Sequence, residues 1–269
     1  MDDGRILLYC PTYDISGQEQ IRPETKQCIA AIAARRPDVD VVISKNNPYV
    51  IGAYANVLHQ YQDAEKMVRE GGYRALFTVE HDMWLPDDAL QRLWDTGAPV
   101  AYGIYLFRHG VHVLNVLERY PGKARNMGES ISLHQKVLEQ YTRRGVHPCS
   151  GVGLGCTLIR RGVLERIPFR EPADSAGGAD MALAADCMRA GIQQVADLGV
   201  RCGHWDVDRW VWPFEDEETV QVEALQRVTV PAGHRSLALK PGCMVALPVG
   251  NVNDLVRAGY VRIARGAMS

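Results

Sequence analysis

The chain has 269 residues, of which 46% are hydrophobic and 23% charged, a composition typical of a globular protein that buries a full core. Its 30 basic and 32 acidic residues give a formal net charge of -2, without the basic bias of many nucleic-acid binders. No apolar run approaches the roughly 20 residues that span a bilayer. Asp2 and Asp3 stand where a signal peptide has its basic start. We therefore expect a cytoplasmic protein with no membrane span.

The cysteines are scattered, odd in number and without a CxxC pair, which argues against a disulfide framework and a structural zinc site. They are Cys10, Cys28, Cys149, Cys156, Cys187, Cys202 and Cys243.

Strand and helix patterns alternate along most of the chain. Strands are predicted at 5–9, 39–44, 74–79 and 100–106, with helices at 23–36, 51–70 and 86–94 between them. A less regular stretch follows, with a strand at 112–117, a helix at 131–144, a strand at 155–160, helices at 162–167 and 181–190, and strands near Gln194 and Val200. This order predicts a mostly parallel sheet flanked by helices, whose ligands bind outside the carboxyl ends of the strands.

The pattern changes after residue 220. Short strands at 227–230, 236–239 and 243–247 are separated by proline and glycine turns, and a small helix is expected at 253–258. We therefore predict a main domain over residues 1–220 and a small β-rich C-terminal appendage over 221–269.

The strand at 74–79 runs directly into Glu80-His81-Asp82, which places two carboxylates in one turn. Oxygen ligands suit hard cations such as Mg²⁺ and Mn²⁺, and Mg²⁺ often takes only one or two carboxylates together with substrate phosphates. The alternative is that these acids only favour the N-terminus of the next helix, a task that Asp87 and Asp88 already perform. We favour the metal site.

The sequence LFTVEHDM at 76–83, followed by Pro86, resembles the DxD segment of GT-A glycosyltransferases, especially family 2-like members. Glu80 stands where that family usually has Asp, so Asp82 is the safer ligand. Other segments resemble the family in the same order, over about residues 5–206: LLYCPTYD at 7–14, VAYGIY at 100–105, GVGLGCTLIRR at 151–161, Ala179-Asp180, Ala190-Gly191 and Gly203-His204.

The resemblance implies a GT-A type, Rossmann-like sheet and a nucleoside diphosphate sugar as donor, with UDP-sugar favoured. It implies Mn²⁺ or Mg²⁺ as cofactor and a hydroxyl acceptor, whether protein, glycan or modified nucleic acid. Contacts to the donor are expected from Pro11, Thr12, Tyr13, Asp14, Glu80, His81, Asp82 and Gly153. The implied metal ligands are Asp82, Glu80 and His204.

Asp180 matches the acid that acts as general base in inverting relatives. Ala179 replaces the first acid of the family's pair, so Asp174 and Asp186 stay as alternatives for the base.

The aromatic stretch that follows His204 has two interpretations. Trp205, Trp210 and Trp212 either stack on sugar faces or anchor the chain against the core. The core interpretation is favoured, because aromatic side chains dominate cores.

Two other functions are considered. A sugar nucleotidyltransferase normally needs a glycine-rich phosphate loop that bears Lys or Arg, and residues 10–20 contain neither. A non-catalytic GT-A-like module that binds carbohydrate or nucleotide within a larger assembly is supported by Ala179.

Overall fold

The structure is a computed structural model that describes residues 4–12, 21–44, 53–107, 114–117, 145–171, 178–213, 219–232, 235–248, 255–256 and 258–263. The described residues up to Pro213 form one compact unit, and those from Thr219 onward form a second. Within these ranges, no helix combines the length and the apolar character needed to cross a membrane.

A seven-stranded sheet forms the centre of the first unit. In spatial order its strands are β2 (Val39–Ile43), β1 (Ile6–Cys10), β3 (Ala75–Val79), β9 (Cys156–Arg160), β5 (Val100–Ile104), β10 (Gln194–Arg201) and β7 (Val146–Pro148). Strands β9 and β7 are antiparallel to their neighbours, and the remaining pairs are parallel. All residues of β1, β3 and β5 are buried, as expected for strands covered on both faces.

The described helices of this unit are α1 (Pro23–Arg35), α2 (Ala53–Glu70), α3 (Ala89–Asp95), α4 (Arg161–Leu164) and α5 (Ala179–Arg189). Helix α1 begins with Pro23, carries Glu24 in its first turn and ends with Arg35, all favourable positions for these residues. Helices α1, α2 and α3 contact strands of the large sheet. The predicted α/β class, a mostly parallel sheet flanked by helices, is confirmed.

Smaller antiparallel sheets complete the two units. In the first unit β4 (Met83–Trp84), β11 (Gly203–Asp206) and β12 (Arg209–Val211) form a three-stranded sheet, called here the small sheet, and β6 (Val116–Leu117) pairs with β8 (Gly151–Val152). In the second unit β13 (Thr219–Ala224) lies between β16 (Met244–Pro248) and β17 (Val261–Ile263), and β14 (Val228–Ala232) pairs with β15 (Arg235–Leu239).

Several expected elements differ from those observed. The helix expected at 86–94 begins only at Ala89, because the chain after Asp82 first forms the short strand β4. Strands β4, β11 and β12 are two to four residues long, too short for a periodic pattern to show in the sequence. The helix expected at 131–144 lies outside the described residues. The division at residue 220 stays a prediction, and β13 spans that position.

One ion-pair cluster joins the start of β2 to the start of β3. Asp38 accepts hydrogen bonds from Arg36 at 2.7 Å and pairs with Arg74. The Arg74 guanidinium also lies over the Trp94 ring, 4.3 Å from its centroid. The hydrogen bond from Arg36, together with the charges of both arginines, lowers the pKa of Asp38 to about 2 from its usual 3.8.

We expect Asp38→Asn to lower the free energy of unfolding by about 1–2 kcal/mol at pH 7. The folded-state pKa of Asp38 is lowered, so its contribution is present above the unfolded-state pKa and is lost as the pH falls toward 2. Urea unfolding at pH 7 and near pH 2 measures the loss of unfolding free energy and its dependence on pH. Asp40→Asn is the control, since Asp40 pairs with the exposed Arg5 and should contribute less. An equal loss for Asp38→Asn at both pH values would contradict the electrostatic explanation.

Candidate functional site

The Glu80-His81-Asp82 turn follows the carboxyl end of β3, where open α/β sheets bind their ligands. Backbone hydrogen bonds fix it on several sides. The Glu80 amide donates to the Gly155 carbonyl at 3.2 Å, and the Arg22 amide donates to the His81 carbonyl at 2.9 Å. These two hydrogen bonds hold the turn against the residues that precede β9 and α1.

The small sheet brings His204 to this turn. His204 lies opposite Met83 in the β4–β11 pair, and the Trp205 amide donates to the Asp82 carbonyl at 3.0 Å. As a result, His204 Nε2 lies 3.7 Å from Asp82 Oδ2. Both residues are buried, with relative exposures of 5% for His204 and 3% for Asp82.

The hydrogen bonding of His204 assigns its tautomer. Nδ1 lies 2.7 Å from the Leu106 carbonyl oxygen, which only accepts, so Nδ1 carries the proton. In a neutral imidazole Nε2 then presents a lone pair toward the Asp82 carboxylate. Nε2 is buried and has no hydrogen-bond partner among the described residues. Two acceptors at this separation repel each other unless a cation or a proton lies between them, so the pair fits a metal ion.

The pair is not a complete metal cage. Within the described ranges, no group of three or more His, Cys, Asp or Glu residues is arranged to hold a metal ion. His81 Nε2 lies 4.0 Å from Asp82 Oδ2 on a half-buried side chain. Ligation by Glu80 and donor contact by His81 stay predictions.

Glu80 is held beside the pair by a buried tyrosine. The Tyr61 hydroxyl donates to Glu80 Oε1 at 3.0 Å. Burial, and then the negative charge of Asp82, raise the pKa of Glu80 to about 7, while His204 opposes this shift. Without a cation nearby, Glu80 therefore exchanges its proton near neutral pH.

Asp180 lies in the first turn of α5, where its Oδ1 accepts the Met181 amide at 2.8 Å. Burial raises its pKa above the usual value. Its charge contributes to the raised pKa values of Glu80 and Tyr61, so its carboxylate lies within electrostatic range of the acidic turn. The role of Asp180 as general base stays a prediction.

The alternative bases are placed less favourably. Asp186 accepts hydrogen bonds on both carboxylate oxygens from Arg170, at 2.7 and 2.8 Å, and also pairs with Arg189. Asp174 lies outside the described residues.

The Pro11-Thr12 segment follows β1, and the amide, carbonyl and hydroxyl groups of Thr12 all form hydrogen bonds inside the protein. Thr12 is buried, its amide donates to Gln60 Oε1 at 3.0 Å, and Gln60 Nε2 donates back to the Thr12 carbonyl at 2.9 Å. The Thr12 hydroxyl donates to the Ser44 carbonyl. Thr12 therefore joins the end of β1 to α2 and to the residue that follows β2. Tyr13 and Asp14 lie outside the described residues, and nucleotide contact by this segment stays a prediction.

Two tyrosines of the site are not among the residues predicted from the sequence. Tyr61 has the helical spacing of an ordinary core residue, and nothing local signals its bond to Glu80. Tyr105 immediately follows β5, and a position at the carboxyl end of a strand is the feature that could have indicated a site residue. The Tyr105 hydroxyl accepts the Gly155 amide at 3.2 Å, and its ring meets the His204 ring edge-to-face at 5.3 Å.

Gly153 makes room for this tyrosine. A Cβ at Gly153 would overlap the Tyr105 hydroxyl and lie 2.7 Å from Asn115 Nδ2. The glycine therefore acts through close packing behind His204, and its predicted donor contact is untested.

Comparison with known proteins gives no family assignment. No protein-family model matches the chain, and no curated protein matches it. Among solved structures, A197 from STIV is similar with a TM-score of 0.46 and 18% identity, over 75% of this chain and 85% of that one. A glycosyltransferase involved in glycosylation of the major capsid of PBCV-1 is similar with a TM-score of 0.34 and 9% identity, over 60% of this chain and 62% of that one. Similarities this low do not assign an activity.

We expect Gly153→Ala to lower the free energy of unfolding by about 1–3 kcal/mol, because the added methyl group overpacks against Tyr105. Urea unfolding measures the loss. Gly162→Ala is the control, since a Cβ at Gly162 meets no heavy atom within 4 Å and alanine favours helix α4. Equal stability of Gly153→Ala and the wild type would show that Tyr105 moves without cost.

Proposed function

We propose that this protein is a metal-dependent glycosyltransferase that moves a sugar from a nucleoside diphosphate sugar, with UDP-sugar favoured, to a hydroxyl acceptor. The observation that carries the proposal is the buried pair of Asp82 and His204, whose facing atoms lie 3.7 Å apart at the carboxyl end of β3. The resemblance of the acidic turn to the DxD segment supports the choice of reaction.

Asp82 and His204 Nε2 would hold Mn²⁺ or Mg²⁺, and an imidazole ligand favours Mn²⁺ of the two. Two protein ligands are enough for such an ion when substrate phosphates complete its coordination. The bound ion would neutralise the charge that develops on the leaving nucleotide. Glu80, held by Tyr61, would contact the ion or the donor ribose.

Asp180 would remove the proton from the acceptor hydroxyl. Its pKa is raised by burial, which brings a carboxylate closer to the range in which it accepts a proton effectively near neutral pH. The ion pairs of Asp186 with Arg170 and Arg189 favour Asp180 over Asp186 for this role.

The metal site is tested by Mn²⁺ binding in the presence of UDP. We expect electron paramagnetic resonance to show Mn²⁺ bound to the wild type and Asp82→Asn to weaken that binding by about tenfold or more, since it removes a charged ligand. Asp87→Asn is the matched control, because Asp87 is exposed and pairs with Arg35.

Wild-type affinity for Mn²⁺ in Asp82→Asn would reject the metal site. Failure of the wild type to bind Mn²⁺ with UDP would reject metal-dependent transfer.

The base is tested by hydrolysis of UDP-sugars without acceptor, in which water replaces the acceptor hydroxyl. We expect Asp180→Asn to lower the rate about 100-fold or more, with UDP binding retained, because general-base catalysis contributes on this scale. Asp186→Asn should keep the wild-type rate. A slow hydrolysis rate in Asp186→Asn with a wild-type rate in Asp180→Asn would reassign the base to Asp186. Binding of UDP-sugars by the wild type without any turnover would support a binding module instead.

A further inference from the structure

The Tyr105 hydroxyl is buried, and its hydrogen has no acceptor. Tyr105 follows β5 and is only 3% exposed. Its hydroxyl oxygen accepts the Gly155 amide at 3.2 Å, but among the described residues nothing accepts the hydroxyl hydrogen. Buried hydrogen-bond donors are normally paired, because an unpaired one costs free energy. This hydroxyl therefore marks a place where a bound ligand can supply the acceptor.

The Asn115 side chain lies beside this hydroxyl. Asn115 is 8% exposed, and its backbone amide donates to the Tyr105 carbonyl at 2.8 Å. A Cβ at Gly153 would overlap the Tyr105 hydroxyl and lie 2.7 Å from Asn115 Nδ2, so both polar groups border the same point. Within the described ranges the side-chain amide of Asn115 forms no hydrogen bond. Together the two side chains offer donors and an acceptor to one ligand.

Tyr105 lies close to the metal pair and to the proposed base. Its ring meets the His204 ring edge-to-face, with 5.3 Å between centroids. The pKa of the Tyr105 hydroxyl is raised by burial and then by the charges of Glu80 and Asp180, so both carboxylates lie within electrostatic range of it. In the proposed reaction, the sugar is transferred from a metal-bound diphosphate to a hydroxyl that the base activates. The Tyr105 hydroxyl therefore lies in the region that the sugar has to occupy.

The chemistry of these groups favours a neutral hydroxyl as their partner. A hydroxyl both donates and accepts, which matches the mixed set offered by Tyr105 and Asn115. A phosphate or carboxylate would be repelled by the charges of Glu80 and Asp180. An apolar group would leave the buried polar atoms unpaired.

We propose that Tyr105 and Asn115 bind hydroxyl groups of the transferred sugar and thereby select which sugar is transferred. This inference rests on the proposed function and adds two specificity-determining residues to it. A sugar that presents a hydroxyl at this position gains the hydrogen bonds. A sugar without it leaves buried polar groups unpaired and binds more weakly.

The test is isothermal titration calorimetry of UDP, UDP-glucose, UDP-galactose, UDP-N-acetylglucosamine and UDP-xylose, each with Mn²⁺. We expect at least one UDP-sugar to bind the wild type, and Tyr105→Phe to weaken it about 3- to 10-fold, the scale of one neutral hydrogen bond. Asn115→Ala should weaken the same UDP-sugar. UDP, which carries no sugar, should bind both variants as it binds the wild type, and this result also shows that the variants are folded.

Tyr102→Phe is the matched control. Tyr102 is also buried, but it donates its hydroxyl hydrogen to Gln194 Oε1 at 2.6 Å. Loss of that hydroxyl should leave the affinities for UDP and for the UDP-sugar unchanged.

Deoxy analogues of the bound UDP-sugar, each lacking one hydroxyl, identify the group that Tyr105 contacts. The analogue without that hydroxyl should bind the wild type and Tyr105→Phe with equal affinity, because the hydrogen bond is absent from both complexes.

Three results would overturn the inference. The first is wild-type affinity for the UDP-sugar in both variants. The second is equal weakening of UDP and UDP-sugar in Tyr105→Phe, since the hydroxyl would then act only by holding Gly155. The third is a wild type that binds UDP but no UDP-sugar. Failure of the wild type to bind UDP with Mn²⁺ would instead reject the proposed function.

Discussion

The pairing of β4 with β11 places the Asp82 carboxylate within 3.7 Å of the His204 imidazole. The two strands pair over a short length, and one of the backbone hydrogen bonds that join them runs from the Trp205 amide to the Asp82 carbonyl. The electrostatics of the site depend on it, because it buries a carboxylate and an imidazole lone pair against each other. A cation between the two groups would stabilise this arrangement.

The packing behind His204 is close. Tyr105 contacts the imidazole ring, and the missing side chain of Gly153 leaves space for the tyrosine hydroxyl. On the other side Tyr61 holds Glu80 by its hydroxyl hydrogen bond. Side chains supported in this way keep their geometry before a ligand arrives, which is the arrangement that electrostatic stabilisation of a developing charge requires.

The two faces of the small sheet carry different side chains. Its inner face carries His204 and Met83, and its outer face carries Trp84, Trp205 and Trp210. Alternation of side chains along a strand makes this separation possible within four residues, from Gly203 to Asp206.

Local patterns in the sequence predict the alternating strands and helices, the acidic turn at the end of β3 and the C-terminal strands, because periodicity and turn residues are local signals. Other contacts are visible only in the folded chain: Thr12 hydrogen-bonds Gln60 and Ser44, Tyr61 donates to Glu80, and tryptophans from separate strands share the outer face of the small sheet. These contacts join residues far apart in the chain through strands too short to show a period. Their physical cause is packing and register between distant segments, which no local pattern contains.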